Sequence, residues 1–442
     1  MKKEEQSAAE KREEMFNRWI KAEETEFDDE KAKQAFEKRV KRFKEIVSLN
    51  KPDRVPVMPA TNFFSAFHAG HTAEDIMYDY DKLEDATKSY VFELEPDAYF
   101  GSNMTGPGEV FDAIGYSLYK WPGDGAPVNT SYQCVEKEYM KPEEYQDLID
   151  DPSDFWMRKY LPRIAEELEP LRQLGSVTDV IELPFTAPYF IPYGMPEVQE
   201  VLNTLMEAGE KALEWQQKLG KIDADVVASG YPVFMGGAAK APFDILGDTL
   251  RGTRGVMIDM KRRPEQLVEA TKRLVPLISK MGINQAKMNG IPMVFMPLHK
   301  GADSFMSRDQ FREFYWPTLK QVIENLVDEG LVPFLFVEGA YNERLDIINE
   351  VPEKSTMWAF DETDMEDAKE ELGDTACIAG NVPSSLLVTG SKEETVEYSK
   401  KLIDKVGKDG GFMLSNGAFL DNAKSENLKA MIETAKSYGT YS

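Results

Sequence analysis

Cysteine and histidine are scarce in this chain of 442 residues: it has two cysteines, Cys134 and Cys377, and three histidines, His68, His71 and His299. Two cysteines exclude a disulfide-built scaffold and any cysteine-rich zinc or iron–sulfur centre made from this chain alone, and they fit a reducing cytoplasm. Positive charge is in deficit too. Against 78 acidic residues stand 52 basic ones, a formal net charge of -26. That balance excludes the electrostatic footprint of a nucleic-acid binder and attraction to anionic lipid. Small molecules and other proteins are the partners it admits. No apolar run approaches the roughly 20 residues that span a bilayer, and the N-terminus lacks an apolar signal core, so a cytoplasmic protein is expected. Gly-x-Gly-x-x-Gly turns, phosphate loops and serine-hydrolase elbows are missing as well. Nucleotide chemistry and triad hydrolysis therefore lack support.

What the chain does have is a repeated punctuation in its C-terminal half. Short apolar runs end on polar groups or glycine: 292–300 on His299, 333–339 on Glu338 and Gly339, 357–361 on Asp361, 377–381 on Gly380 and Asn381, and 411–417 on Asn416. Helix-like segments alternate with them, a rhythm that predicts parallel βα units with functional groups gathered at the strands' C-terminal ends. Residues 54–60 (RVPVMPA) read as a first strand, 176–182 and 231–237 as further strands, and 264–281 as a helix. A hydrophobic content of 42% supplies core for one large domain or two ordinary ones. Residues 1–50 form a separate helical arm, with Met15, Trp19, Ile20, Phe36, Val40 and Phe43 at helical spacing and 13 basic residues balanced by 13 acidic ones. The whole charge deficit lies in residues 51–442.

Residues 61–150 are rich in glycine, proline and aromatics and read as enlarged first and second βα loops over the barrel mouth. Phe63, His68, Tyr189, Tyr231 and Asn416 are the candidates for contact with substrate, although aromatics in such clusters are as readily plain core. Lys300, Asp303 and Asp248 are further polar groups expected near the mouth. Cys377, at the start of an apolar run, reads as an inert buried thiol.

From Arg54 onward the chain resembles the uroporphyrinogen decarboxylase superfamily, in particular its corrinoid-dependent methyltransferase branch. The resemblance is carried by Asp53-Arg54-Val55-Pro56-Val57, by Met306-Ser307-Arg308-Asp309-Gln310-Phe311 with Pro317, by Ala379-Gly380-Asn381-Val382-Pro383, and by 410–415 followed by 426–431. It implies a (β/α)8 TIM barrel, here with an N-terminal helical arm and enlarged early βα loops, and a homodimer is plausible by the same resemblance. Two departures select within the family. Decarboxylases carry Arg-Gln-Ala-Gly-Arg after the first strand to grip carboxylates, where this chain has Ala60-Thr61-Asn62-Phe63-Phe64. Thiol-methylating relatives place His-x-Cys on the sixth strand and a distant cysteine on the eighth to bind zinc, where this chain has Phe336-Val337-Glu338 and Ala418.

An oxygen-rich mouth with one imidazole suits an ether oxygen better than a thiol, and the expected reaction is O-demethylation. The resemblance implies that the methyl group passes from a methoxylated donor, expected to be aromatic, to the cobalamin of a separate small corrinoid protein. Glu338 and His299 are expected beside the ether oxygen as an acid/base pair or as ligands of a zinc ion, with Asp361 as third ligand or orienting group. Two other readings stay open. One is a decarboxylase of a smaller tetrapyrrole or aromatic acid, drawing on Arg251, Arg254 and Lys240; the other is a non-catalytic corrinoid-binding subunit.

Overall fold

Ser7 and Asp29 start the first two helices, Ala8–Lys21 and Glu30–Val47, by accepting the backbone N–H groups of Glu10 and Ala32. This computed structural model describes residues 6–441. The two helices bury Phe16, Trp19, Phe36, Val40 and Phe43 in one cluster with Met293, Val332, Met357 and Cys377, the residues that begin four barrel strands. The arm thus seals the barrel at the strands' N-terminal ends. Its backbone comes so close to one turn there that a Cβ on Gly330 would lie 2.6 Å from the Arg12 nitrogen. A fully buried carboxylate, Asp97, fastens arm to barrel, receiving Arg42 at 2.8 Å, Arg54 at 2.7 Å and the Val57 N–H at 2.8 Å.

Six parallel strands pair in sequence order: Gly237–Ala238, Met293–Leu298, Val332–Val337, Met357–Phe360, Cys377–Val382 and Phe412–Asn416. Two extended segments complete the ring. Residues 55–61 lie along the last strand, with Leu414 donating to the Pro56 carbonyl at 2.9 Å, and residues 97–100 fit between that segment and the third strand through Asp97 N–H to Val57 (2.9 Å) and Phe234 N–H to Tyr99 (2.8 Å). The (β/α)8 barrel is therefore closed. Its strands bury both faces, as Val332–Val337 does along its whole length, which is why they read as unbroken apolar runs. Inside, Phe100, Phe234, Phe295, Phe334 and Phe336 stack in layers, and Phe419 closes the top, 4.8 Å from Phe336 and 5.2 Å from Phe100 between ring centroids.

Residues 176–182 are not a strand. They form a short 3-10 turn, Val177–Asp179, within an exposed lobe, because their β-branched residues have no neighbouring strand to pair with. Without it, the strand that ends at Glu338 is the fifth of the barrel, not the sixth. The main insertion, 101–231, follows the second extended segment and carries a small three-stranded sheet, the lobe and a long helix, Pro196–Ala228. Among the described residues no helix is long and apolar enough to cross a membrane.

Candidate active site

At the C-terminal end of Met293–Leu298 the chain turns through His299, Lys300 and Gly301, and the turn is held by a carboxylate from the preceding βα unit. Asp244, fully buried, accepts the N–H groups of His299 and Lys300, both at 2.9 Å, and the Tyr315 hydroxyl at 2.8 Å. Gly301 leaves no room for a side chain, since a Cβ would meet the Tyr341 hydroxyl. One helical turn after Asp244, Asp248 takes the imidazole of His299 on its Oδ2 (Nδ1 at 2.6 Å), Lys240 at 2.7 Å and Lys300 at 3.3 Å. Lys300 also donates to the Thr253 hydroxyl at 3.0 Å.

The other ring nitrogen of His299 faces Glu338, with Nε2 to Oε1 3.5 Å. Burial alone favours the neutral ring, but the hydrogen bonds to Asp248 and Glu338 outweigh it and push the His299 pKa up to about 10. His299 is an imidazolium at neutral pH. Burial likewise opposes the Asp248 charge, and there the His299 and Lys240 contacts win, holding that carboxyl far below its ordinary range. Asp244, buried beside Asp248, is shifted upward.

Asp361 stands at the next strand end, where its Oδ2 accepts the Gly339 N–H at 3.4 Å and burial raises its pKa. It supports the Glu338–Gly339 turn and borders a cleft of about 510 Å³ that also includes Thr363, Asn381 and Ser384. The expected metal set is not assembled: among the described residues no group of three or more His, Cys, Asp or Glu is arranged to hold a metal ion. Held as a cation between two carboxylates, the His299 ring has no lone pair to offer a metal, and Asp361 accepts a backbone amide. This arrangement fits an ion-paired acid rather than a zinc site.

None of the five expected substrate contacts joins this cluster. Phe63 is buried core, 5.5 Å from Tyr132. His68 stacks on Phe64 and bonds the Ser425 hydroxyl at 2.7 Å. Tyr189 sits in the exposed lobe, paired with the Tyr193 hydroxyl at 3.0 Å. Tyr231 precedes the third strand, so it lies at the sealed end of the barrel with Arg39 of the arm 3.9 Å above its ring. Asn416 is fully buried and closes the seam, accepting the Ala60 N–H at 2.8 Å and donating to the Ala60 carbonyl at 3.0 Å. Asp303 receives the Glu343 N–H at 3.1 Å and shapes a loop.

Apart from Asp244, the groups that sequence reasoning missed come from the insertion. Its small sheet sets Tyr119 and Cys134 in the field of Asp248, with Lys240 and Lys300 also acting on Cys134. Tyr132 packs 5.7 Å from Tyr119 and links this wall to Phe63 of the first loop. Asp244 stands four residues before Asp248, which was already expected near the mouth, and that spacing was the signal available for it.

Residues 224–438 match the family model for uroporphyrinogen decarboxylase (URO-D). Over that stretch, just under half of its length, the chain is similar to the uroporphyrinogen decarboxylase family. The URO-D match starts in the last turn of the long helix and takes in the third to eighth strands, with His299, Glu338 and Asp361, while the arm, the first two barrel segments and most of the insertion lie outside it. A solved methyltransferase from Methanosarcina mazei shares the fold, at 14% identity and a TM-score of 0.59, over 90% of this chain and 98% of that one. No curated protein matches in sequence.

Proposed function

We propose that this chain is a methyltransferase of the uroporphyrinogen decarboxylase superfamily that takes a methyl group from the oxygen of a methoxylated aromatic donor and passes it to the cob(I)alamin of a separate small corrinoid protein. One observation carries the reading: an imidazolium, His299, clamped between Asp248 and Glu338 at an aromatic-floored barrel mouth. The fold shared with the Methanosarcina mazei methyltransferase supports the reaction class.

Breaking an aryl ether leaves a phenolate, whose conjugate acid has a pKa of about 10. The His299 pKa, also about 10, is matched to that leaving group. The reduced corrinoid supplies the electron pair that takes the methyl group. As the carbon–oxygen bond breaks, its electrons stay on oxygen, and the Nε2 proton of His299 neutralises them. Nδ1, tied to Asp248, keeps the ring oriented. Glu338 is half-exposed, and it links the spent ring to solvent for reprotonation. Phe419 and Phe336 floor the mouth and Tyr119 and Tyr132 wall it, surfaces suited to an aromatic ring.

Decarboxylation finds less support. Arg251 is buried between Asp259 (2.6 Å) and Glu138, Lys240 and Lys300 are tied to Asp248, and Arg254 is exposed on a helix. The segment after the first strand offers no arginine at all. Incubating the protein with reduced corrinoid protein and a methoxyarene should yield methylcobalamin and the matching phenol. If cobalt stays unalkylated across a panel of methoxyarenes, the reading fails.

A further inference from the structure

The long helix Pro196–Ala228 has 33 residues, which at about 1.5 Å per residue makes it roughly 50 Å long. Its last turn is at the sealed end of the barrel, where the Ala228 carbonyl accepts the Asp28 N–H of the arm at 3.0 Å. The barrel strands, six residues at most, rise only about 20 Å. Running antiparallel to them, the helix carries its N-terminal half and the lobe before it on the order of 30 Å past the mouth.

That overhanging lobe is apolar where a monomer has reason to be polar. Ile181 is 76% exposed, Leu183 87%, Phe185 62% and Ile191 68%, and Val177, Phe190 and Met206 are more than half exposed as well. Large apolar side chains exposed in such number on one lobe mark an interaction site. Its charge identifies the kind of partner. Residues 173–210 contain six acidic side chains, Asp179, Glu182, Glu197, Glu200, Glu207 and Glu210, and no lysine, arginine or histidine. All six are exposed. A second copy of this chain would bring six more anions against them, whereas a partner with an apolar centre and a basic rim complements both features.

We infer that this lobe is the docking post for the protein that presents the methyl acceptor, an inference that rests on the methyl-transfer reading above. Seated against the lobe, such a protein faces the open end where His299 holds its proton. The site is built for a macromolecular occupant because its apolar residues are spread along a projecting surface instead of lining a hollow.

The test uses the full chain and a triple variant, Ile181→Ser, Leu183→Ser and Phe185→Ser, all at exposed positions outside the catalytic cluster. Methyl transfer to free cob(I)alamin and to a cobalamin-loaded corrinoid protein from the same genome is measured for both, together with direct binding of that corrinoid protein. Transfer to free cob(I)alamin is expected to be unchanged, while the KM for the protein-borne acceptor and its Kd rise by about 100-fold or more. Wild-type binding should weaken with added salt. Equal binding by the variant and wild type, or no binding by wild type that still methylates free cob(I)alamin, overturns the proposal. So does a wild-type dimer that the triple variant converts to monomers, which would assign the lobe to a second copy. Absence of transfer to either acceptor would sink the reaction reading instead, and the binding titration would still decide the docking.

Discussion

Replacing Asp248 with asparagine removes the charge that holds His299 protonated while keeping the shape of its partner. The contact is 2.6 Å long and largely sheltered from water, and an opposite charge so placed accounts for about 1–3 pKa units. Starting from about 10, a loss of about two units leaves the ring titrating near 8, with Lys240 and Lys300, deprived of their own carboxylate, pushing the same way. At pH 9 the imidazolium fraction then falls from about nine-tenths to about one-tenth, so kcat/KM for demethylation drops roughly tenfold. At pH 6 both proteins keep the ring charged and the difference narrows. The pH dependence of kcat/KM for Asp248→Asn against wild type reads this directly, as a displaced alkaline limb. An alkaline limb that stays in place, with activity lowered equally at every pH, would refute His299 as the acid whose charge Asp248 maintains. The same ion pair has a stability counterpart. Because the folded pKa of His299 is raised above its ordinary 6.5, its contribution is fully present below that value and is lost as pH climbs through about 10.

Asp97→Asn should destabilise the protein by about 3–5 kcal/mol in denaturant titrations, since it leaves Arg42 and Arg54 facing an uncharged group in a buried site. Burial opposes the Asp97 charge, but Arg54 and Arg42 outweigh it and lower the folded pKa; the wild-type advantage is therefore held at neutral pH and fades as pH falls through that depressed value. Asn416→Ala should cost about 1–3 kcal/mol for each Ala60 backbone group left unpaired, without moving the pH profile of any activity. Elemental analysis of purified wild type should find less than one zinc per chain; a stoichiometric zinc that disappears in Glu338→Ala would restore Glu338 as a ligand.

The last five strands were legible because each is a parallel strand buried on both faces and stopped by a polar residue or glycine, so composition and topology agree. Residues 176–182 show the limit of that signal. Val177, Val180 and Ile181 have strand composition, yet a strand also needs a neighbour, and the lobe provides none. His299 and Glu338 were visible as strand-end groups, and the barrel brings adjacent strand ends together as a matter of geometry. Tyr231 failed for the opposite reason: it stands before its strand, and strand direction decides which end of a barrel a residue occupies. Phe63 and Asn416 sit close to the mouth in sequence terms but are used up in packing and in the seam. The wall residues Tyr119, Tyr132 and Cys134 were out of reach because nothing local in an irregular insertion states where its small sheet lands.

The proposed proton donor and the tyrosine wall proposed to face the methyl donor come from separate stretches of chain, one from the end of a barrel strand and the other from the insertion between residues 101 and 231. Exchanging or remodelling that insertion leaves Asp244, Asp248, His299 and Glu338 on their own supports. On the proposed reading, a change of methyl donor then needs loop replacement alone, with the acid cluster inherited intact.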